Sequence, residues 1–197
     1  HHRPRKIFRH KLGSSVKDDQ LIFEEKSEAF SVSIGLSSDE KYFFISASDH
    51  NTSEQYYFDI NEKKPKPKLI QKRKKGIIYS VNSWDGFFYK HTNEDAEDFK
   101  IEICKNLVEQ NWEIFIPAKN EVLIGGLVFL KDWIIRSEIS DAIGRLILRN
   151  PKTNNEEEII FSDEKVIVPS ISLIQKDKDT NLVYLSYSSP KTPGRTS

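Results

Sequence analysis

A unit of four short strands recurs along this chain, with copies roughly 44 to 49 residues apart. In each copy a polar turn leads into an aromatic or aliphatic strand, which ends in a polar loop. One strand precedes this central strand, and in the first three copies two more strands follow it. The equivalent positions in the central strands are Phe43, Phe87, Trp133 and Leu182. Four strands per unit at this spacing are typical of β-propeller blades.

The strands are predicted from side chains that alternate between apolar and polar. Every second residue of FSVSIGL, residues 30–36, is apolar, and FKIEICK, GRLILRN and NLVYLSYSS show the same alternation. Short runs of this period, separated by polar turns, indicate antiparallel strands. We therefore predict an all-β chain, a partial β-propeller with about three complete four-stranded antiparallel blades and partial blades at both ends. It occupies residues 3–197, and we interpret residues 1–2 as the remnant of a purification tag.

One segment, residues 94–110, fits two kinds of secondary structure. Its apolar residues also form a helical stripe, made of Ala96, Phe99, Ile103, Leu107 and Val108. The segment taken alone favours neither a helix nor a strand. Because the neighbouring copies of the repeat place a strand here, we predict a strand.

Composition excludes several classes of function. The chain has 30 basic and 30 acidic residues, so no net charge attracts nucleic acid or an anionic membrane. Its single cysteine, Cys104, cannot form an internal disulfide or a multi-thiolate metal site. The sequence has neither a membrane span nor a signal-peptide pattern. We therefore expect a cytoplasmic protein, in which the glycosylation sequon at Asn51 is not used.

The segment SASDHNTSEQYYFDI, residues 46–60, contains Ser, His, Asp and Glu close together. A catalytic triad or a zinc site needs such groups to converge, whereas neighbours on an extended chain point to alternate sides. We therefore interpret SASDHNTSE as a polar loop between two strands, equivalent to HTNEDAED and SEISDAIG in the next two copies. No G-x-S-x-G, Walker or G-x-G-x-x-G motif is present. We predict no catalytic, cofactor-binding or metal-binding residue in this chain.

The basic segment KKPKPKLIQKRKK, residues 63–75, is the strongest charge feature. It could bind an acidic partner, but a solvated loop followed by an outer strand whose lysines discourage edge pairing is favoured. Acidic clusters at residues 94–98 and 156–158 argue against a surface for nucleic acid. Trp84, Trp112 and Trp133 lie near blade strands, where packing is favoured over base stacking.

Several segments resemble the β-propeller of the prolyl oligopeptidase family. The longest is WEIFIPAKNEVLIGGLVFLKDWIIRSEISDAIGRLILR, with Trp112, Ile116-Pro117, Val122, Phe129 and Asp132 as the matching features. Three further segments match the family in the same order along the chain: KIFRHKLG, SDHNTSEQYYFDI and YLSYSSPKTP. The resemblance is closest to the branch of the family that cleaves short peptides after arginine or lysine.

This resemblance implies a propeller that covers the active site of an α/β-hydrolase domain and excludes folded proteins by size. The Ser-Asp-His triad of the family lies in that hydrolase domain, and no position of this chain matches it. We therefore expect a non-catalytic propeller portion, whose partners are the remaining propeller blades and the hydrolase domain. The chain ends within a blade, which we attribute to trimming or to a split gene.

Two hypotheses follow. In the first, the chain is the propeller portion of a serine oligopeptidase and is inactive alone. In the second, it is a free-standing module that binds an acidic partner through residues 63–75. Because blades bury their faces against neighbours, an incomplete ring is also expected to associate with its missing half or with a second copy.

Overall fold

The computed structural model describes residues 3–160, 170–172, 178–187 and 195–196, and its regular structure is almost entirely β-strand. In these residues the only helical element is a 3₁₀ turn, Val16–Asp18. The strands are β1 (Lys6–Arg9), β2 (Gln20–Glu24), β3 (Ser31–Leu36), β4 (Tyr42–Ser48), β5 (Ser53–Asp59), β6 (Lys68–Gln71), β7 (Tyr79–Trp84), β8 (Phe87–Thr92), β9 (Lys100–Cys104), β10 (Glu113–Ile116), β11 (Leu123–Phe129), β12 (Ile134–Ser140), β13 (Ile143–Arg149), β14 (Glu156–Glu158), β15 (Ser170–Ser172), β16 (Tyr184–Tyr187) and β17 (Arg195–Thr196).

The strands form sheets in which sequence neighbours pair. β3 to β6, β7 to β10 and β11 to β14 each make a four-stranded sheet, which we call blades 1, 2 and 3. β1 pairs with β2, and β15 to β17 form a three-stranded sheet. The predicted fold class, with three complete blades and partial blades at both ends, is confirmed. β9 confirms the strand within residues 94–110.

Blade 1 is buried on both faces, which explains why its central strands are so rich in apolar residues. One face packs on the β1–β2 pair, where Phe23 and Tyr56 have ring centroids 4.7 Å apart. The other face packs on blade 2, where Phe44 and Tyr57 join a core that contains Phe88. Because successive side chains of a strand point to opposite faces, a strand buried on both faces has few positions left for polar residues.

Blade 2 begins with a tight hairpin. The turn between β7 and β8 consists of Asp85 and Gly86, with φ of 49° and 78°. A two-residue type I′ turn needs positive φ at both central positions, and Asp-Gly is a favoured pair for it. Trp84 is the last residue of β7, so the turn itself contains only Asp85 and Gly86.

Two compact units can be distinguished along the chain. The first comprises residues up to 95 and residues 101–115, and contains the β1–β2 pair, blade 1 and most of blade 2. The second comprises residues 96–100 and those from 116 onward, and contains blade 3 and β15 to β17. Leu130, Ile135 and Leu146 form the core of blade 3, with Val183 and Leu185 packed against it. The interpretation of residues 1–2 as a tag lies outside the described residues.

Candidate functional site

The predicted loop SASDHNTSE, residues 46–54, contains a turn between two strands, but the turn is shorter than predicted. β4 ends at Ser48 and β5 begins at Ser53, so only residues 49–52 connect them. Asp49 Oδ1 accepts hydrogen bonds from the backbone N–H groups of Asn51 and Thr52, at 2.9 and 2.8 Å. A carboxylate engaged in this way closes the turn and does not orient a histidine for catalysis.

The equivalence of this loop with HTNEDAED and SEISDAIG was only partly correct. His91 and Thr92 belong to β8, and residues 137–140 and 143–144 belong to β12 and β13. The turn between β12 and β13 contains only Asp141 and Ala142, both with positive φ. Glu138 is thus a strand residue, with 2% of its surface exposed. A polar sequence was mistaken for a solvated loop because buried ion pairs also need polar residues.

A cluster around Arg73 joins three segments of the first unit. The Arg73 guanidinium donates to Glu54 on β5 at 2.6 Å and to Glu25, which follows β2, at 2.5 Å. It also lies over the ring of Phe30, 4.1 Å from the centroid. Burial raises the pKa of Glu25, but hydrogen bonds from Ser27 and Arg73 outweigh it, so the pKa is below its usual value. The cluster ties the segments after β2 and β6 to blade 1.

Blade 2 contains a second buried charge, Lys90 on β8. Its ammonium group lies 2.6 Å from the Glu102 carboxylate and 4.6 Å from the centroid of the Trp112 ring. Because the Lys90 side chain is only 5% exposed, the ion pair and the aromatic face together replace its lost hydration. Trp112 packs against the core shared by blades 1 and 2, Trp84 is buried, and the half-buried Trp133 packs against the core of blade 3. This confirms packing as the role predicted for the three tryptophans.

Blade 3 contains the largest ionic cluster among the described residues, centred on Arg136 of β12. Its guanidinium donates to Glu138 at 2.9 Å and to both carboxylate oxygens of Glu156 at 2.7 and 2.8 Å. Lys119 lies 2.6 Å from Glu138, and Arg149 lies 2.8 Å from Glu156. The hydrogen bond from Arg136, together with that from Arg149, lowers the pKa of Glu156 to about 2.

These carboxylates are unsuited to acid–base catalysis. A general acid or base works best with a pKa near the working pH, whereas the pKa values of Glu25, Glu138 and Glu156 are all lowered. Each is held ionised beside a cation, which is the signature of a structural ion pair. The sequence analysis missed all three clusters, because most of their partners are far apart in sequence, as Arg136 and Glu156 are at 20 residues and Arg73 and Glu25 at 48.

Other groups that could suggest catalysis are engaged in local structure. His10 lies 2.6 Å from Asp19, but the nearby Ser14 donates to the Lys11 carbonyl and Ser15 caps the 3₁₀ turn. Asp39, which is buried, accepts from Ser37 and Ser83 at 2.7 Å each. The contact between Asp39 and Ser83 joins the β3–β4 turn of blade 1 to β7 of blade 2, and no histidine takes part in it.

No metal centre is formed by the described residues, in which no three His, Cys, Asp or Glu side chains converge. Cys104 is buried, and burial raises the pKa of its thiol above the ordinary value. An open cavity of about 280 Å³ lies at one end of blade 2, between Phe87 and the loop that carries Lys105 and Glu109. In the described part of the chain, no helix is long and apolar enough to cross a membrane.

The basic segment 63–75 does not form one surface. Residues 63–67 precede β6 and residues 72–75 follow it, so they lie at opposite ends of the strand. In the second group, Arg73 is bound to Glu25 and Glu54, and Lys74 lies 2.6 Å from Glu94. β6 is an edge strand of blade 1, as predicted, with Lys68 exposed.

Three four-stranded antiparallel sheets, each made of strands that are neighbours in sequence, define a portion of a β-propeller. The family model for the N-terminal β-propeller domain of prolyl oligopeptidase matches residues 1–196. The chain therefore belongs to the prolyl oligopeptidase family, as its N-terminal propeller.

Individual relatives agree with this assignment. Protease 2 of Moraxella lacunata is 30% identical over 210 residues, which cover 100% of this chain and 28% of that protein. Dipeptidyl aminopeptidase BI of Pseudoxanthomonas mexicana is 23% identical over 195 residues, which cover 98% of this chain and 26% of that protein. The chain thus spans little more than a quarter of the length of these relatives.

Solved structures show the same fold. Oligopeptidase B from Trypanosoma brucei, with covalently bound antipain and in a closed form, superposes with a TM-score of 0.86 at 23% identity. The match covers 98% of this chain and 29% of that one. Oligopeptidase B from Leishmania major gives a TM-score of 0.83 at 17% identity, with 98% and 29% covered. The resemblance to the prolyl oligopeptidase propeller noted in the sequence is thus found in the fold as well.

Proposed function

We propose that this chain is the propeller portion of a cytoplasmic serine oligopeptidase of the oligopeptidase B type, which cleaves short peptides after arginine or lysine. The observation that carries the proposal is the family match over residues 1–196, combined with the 30% identity to a protease. The catalytic serine, aspartate and histidine belong to an α/β-hydrolase domain joined to the propeller. The chain alone is expected to be inactive.

In this function the propeller acts as a size-excluding gate. Its blades restrict access to the hydrolase domain, so that short peptides enter and folded proteins do not. The buried ion pairs support this role. The Arg73 cluster ties the segments after β2 and β6 to blade 1, while Arg136 crosslinks β12 to β14 within blade 3. A rigid set of blades is what a filter by size requires.

A chimaera tests this proposal. The matching portion of Protease 2 from Moraxella lacunata is replaced by this chain, and hydrolysis is measured on arginyl peptides of increasing length and on a folded protein with an exposed arginine-containing loop. We expect short peptides to be cleaved and the folded protein to be spared. Equal cleavage of all substrates by a folded chimaera would contradict the gate. Turnover by the isolated chain that a serine-directed inhibitor blocks would contradict the non-catalytic assignment.

A further inference from the structure

We propose that the loops β1–β2 and β5–β6 together form a docking surface for an acidic protein segment that carries interspersed apolar side chains. We call it the basic end surface and define its cations as Arg9, Lys11, Lys63, Lys64 and Lys66. All five side chains belong to exposed residues. The surface differs from the basic segment 63–75 of the sequence. It excludes residues 72–75 and includes Arg9 of β1 and Lys11 of the β1–β2 loop.

A direct contact brings the two loops together. Arg9, the last residue of β1, donates from Nη2 to the backbone carbonyl of Lys63 at 2.7 Å. The same nitrogen donates to Gln20 Oε1 at 2.6 Å, which holds the guanidinium against β2. The lysines after Asn61 are therefore positioned beside the basic residues that follow β1, although the two groups are 54 positions apart.

The lysines of this surface are available for a partner. Among the described residues, none of Lys11, Lys63, Lys64 and Lys66 has a carboxylate within ion-pair distance. The carboxylates of the two loops are already engaged in local structure. Asp19 pairs with His10 at 2.6 Å, Asp59 accepts from the N–H of Asn61, and Glu62 accepts from the N–H groups of Asp59 and Lys66. Lys17 and the adjacent Asp18 offset each other in charge.

The same loops carry exposed apolar side chains. Leu12 is 92% exposed and Ile60 is 43% exposed. Leu12 immediately follows Lys11, and Ile60 lies three residues before Lys63, so each loop carries an exposed apolar residue close in sequence to a lysine. Exposed apolar residues near lysines that lack a carboxylate partner can contact both the apolar and the acidic side chains of one peptide.

An acidic protein segment fits this surface better than a nucleic acid does. A polynucleotide presents a closely spaced row of phosphates, which would meet Asp19 and Glu62 as well as the lysines. It would also leave Leu12 and Ile60 without an apolar partner. A peptide with acidic and apolar side chains satisfies both groups, and its charges can be spaced to avoid the two carboxylates.

The chain provides its own control for the test. β6 separates Lys64 and Lys66 from Lys72 and Lys75, and its four residues span about 13 Å. Because charges are screened over about 8 Å at physiological ionic strength, the two ends of β6 act independently on a bound peptide. Lys72 and Lys75 are exposed and, among the described residues, make no ion pair.

The experiment compares Lys63→Glu/Lys64→Glu with Lys72→Glu/Lys75→Glu, which change the net charge equally. Binding of fluorescein-labelled peptides made of Glu-Glu-Leu or Glu-Glu-Ser repeats is measured by anisotropy with the full chain. We expect the first variant to bind the Glu-Glu-Leu peptide about tenfold more weakly and the second to bind like the parent. The parent chain should bind the Glu-Glu-Ser peptide more weakly than the Glu-Glu-Leu peptide. The variant Leu12→Ser should bind the Glu-Glu-Leu peptide more weakly than the parent chain does.

Three outcomes would overturn the proposal. They are no binding by the parent chain, equal loss in both double variants, and tighter binding of a labelled single-stranded oligonucleotide than of the Glu-Glu-Leu peptide. Thermal melting of each variant establishes that it is folded before binding is interpreted. Because no peptide is cleaved in this assay, its result is independent of the peptidase function proposed above.

Discussion

Ser53 on β5 and Tyr79 on β7 exchange two hydrogen bonds that join blade 1 to blade 2. Ser53 Oγ donates to the Tyr79 carbonyl at 2.8 Å and accepts from the Tyr79 N–H at 2.7 Å. Two residues further along both strands, Gln55 Oε1 accepts from the Val81 N–H at 2.6 Å. Side chains of one blade thus satisfy backbone groups at the edge strand of the next, which would otherwise be buried without partners.

This relationship makes Ser53 a sensitive position. Replacing it with alanine leaves both polar groups of the Tyr79 backbone without that partner, and we expect Ser53→Ala to lower the free energy of unfolding by about 2 kcal/mol. Ser48 is the matched control, because it faces Ser53 directly across β4 and β5 but makes no such link. Urea unfolding should show less than about 0.5 kcal/mol for Ser48→Ala, and equal losses in the two variants would contradict the prediction.

The Arg136 cluster yields a prediction about coupled charges. Arg136→Met leaves Glu138, 2% exposed, with only Lys119 and the more distant Arg145, and should cost about 3 to 5 kcal/mol of unfolding free energy. Combining Arg136→Met with Glu138→Gln removes the buried carboxylate charge that Arg136 had balanced, and it should recover a large part of the lost unfolding free energy. The control is Arg145→Ala, whose partly exposed guanidinium lies 3.7 Å from Glu138 and should cost less than about 1 kcal/mol. Strictly additive effects in the double variant would count against a coupled pair.

Glu156 should make stability depend on pH. Its pKa is about 2 in the folded chain against an ordinary value of 4.5, so the folded state binds fewer protons than the unfolded state. The stabilisation is therefore fully present above pH 4.5 and is lost as the pH falls toward 2. With allowance for solvent screening, we expect Glu156→Gln to cost about 2 kcal/mol at pH 7 and progressively less below pH 4.5.

The neighbouring Glu157→Gln serves as the control for that titration, because Glu157 is exposed and makes no ion pair among the described contacts. Chemical unfolding between pH 3 and pH 7 should show a pH-dependent difference from the parent for Glu156→Gln and a flat, small difference for Glu157→Gln. A constant difference across the range would show that the bond from Arg136 does not determine the ionisation of Glu156.

Gly125 and Gly126 lie at an irregularity of β11, where the register against β12 shifts between Ile124 and Leu127. A Cβ atom at Gly125 would overlap the hydroxyl of Ser137 and lie 3.2 Å from its carbonyl oxygen, whereas one at Gly126 would meet nothing within 4 Å. We expect Gly125→Ala to cost about 1 to 3 kcal/mol and Gly126→Ala to be close to neutral. Thermal unfolding of the two variants checks this, and equal melting temperatures would contradict it.

The strands could be predicted from the sequence because alternation and a repeat of fixed length are local or periodic signals. The strand at residues 100–104 shows this, since the repeat decided what local periodicity left open. Contacts between distant charges have no such signal. Arg73 and Glu25, 48 positions apart, meet only because the β1–β2 pair packs on blade 1. Likewise, the split of residues 63–75 follows from four of them forming β6.

The β1–β2 pair leads to a prediction about association. Phe8 and Leu21 are cross-strand partners, 53% and 45% exposed, while Ile7 and Ile22 pack inward on blade 1. The β1–β2 sheet has two strands, whereas each complete blade has four, and this apolar pair lies on its outer side. Such a pair is expected to be covered by another sheet.

We therefore expect light scattering to show that the chain self-associates, and the variant Phe8→Ser/Leu21→Ser to shift it toward monomer. Val108→Ser, which changes a residue 80% exposed on a loop of blade 2, should leave association unchanged. A parent chain that is monomeric at all working concentrations would contradict the prediction, and so would an equal response to both variants.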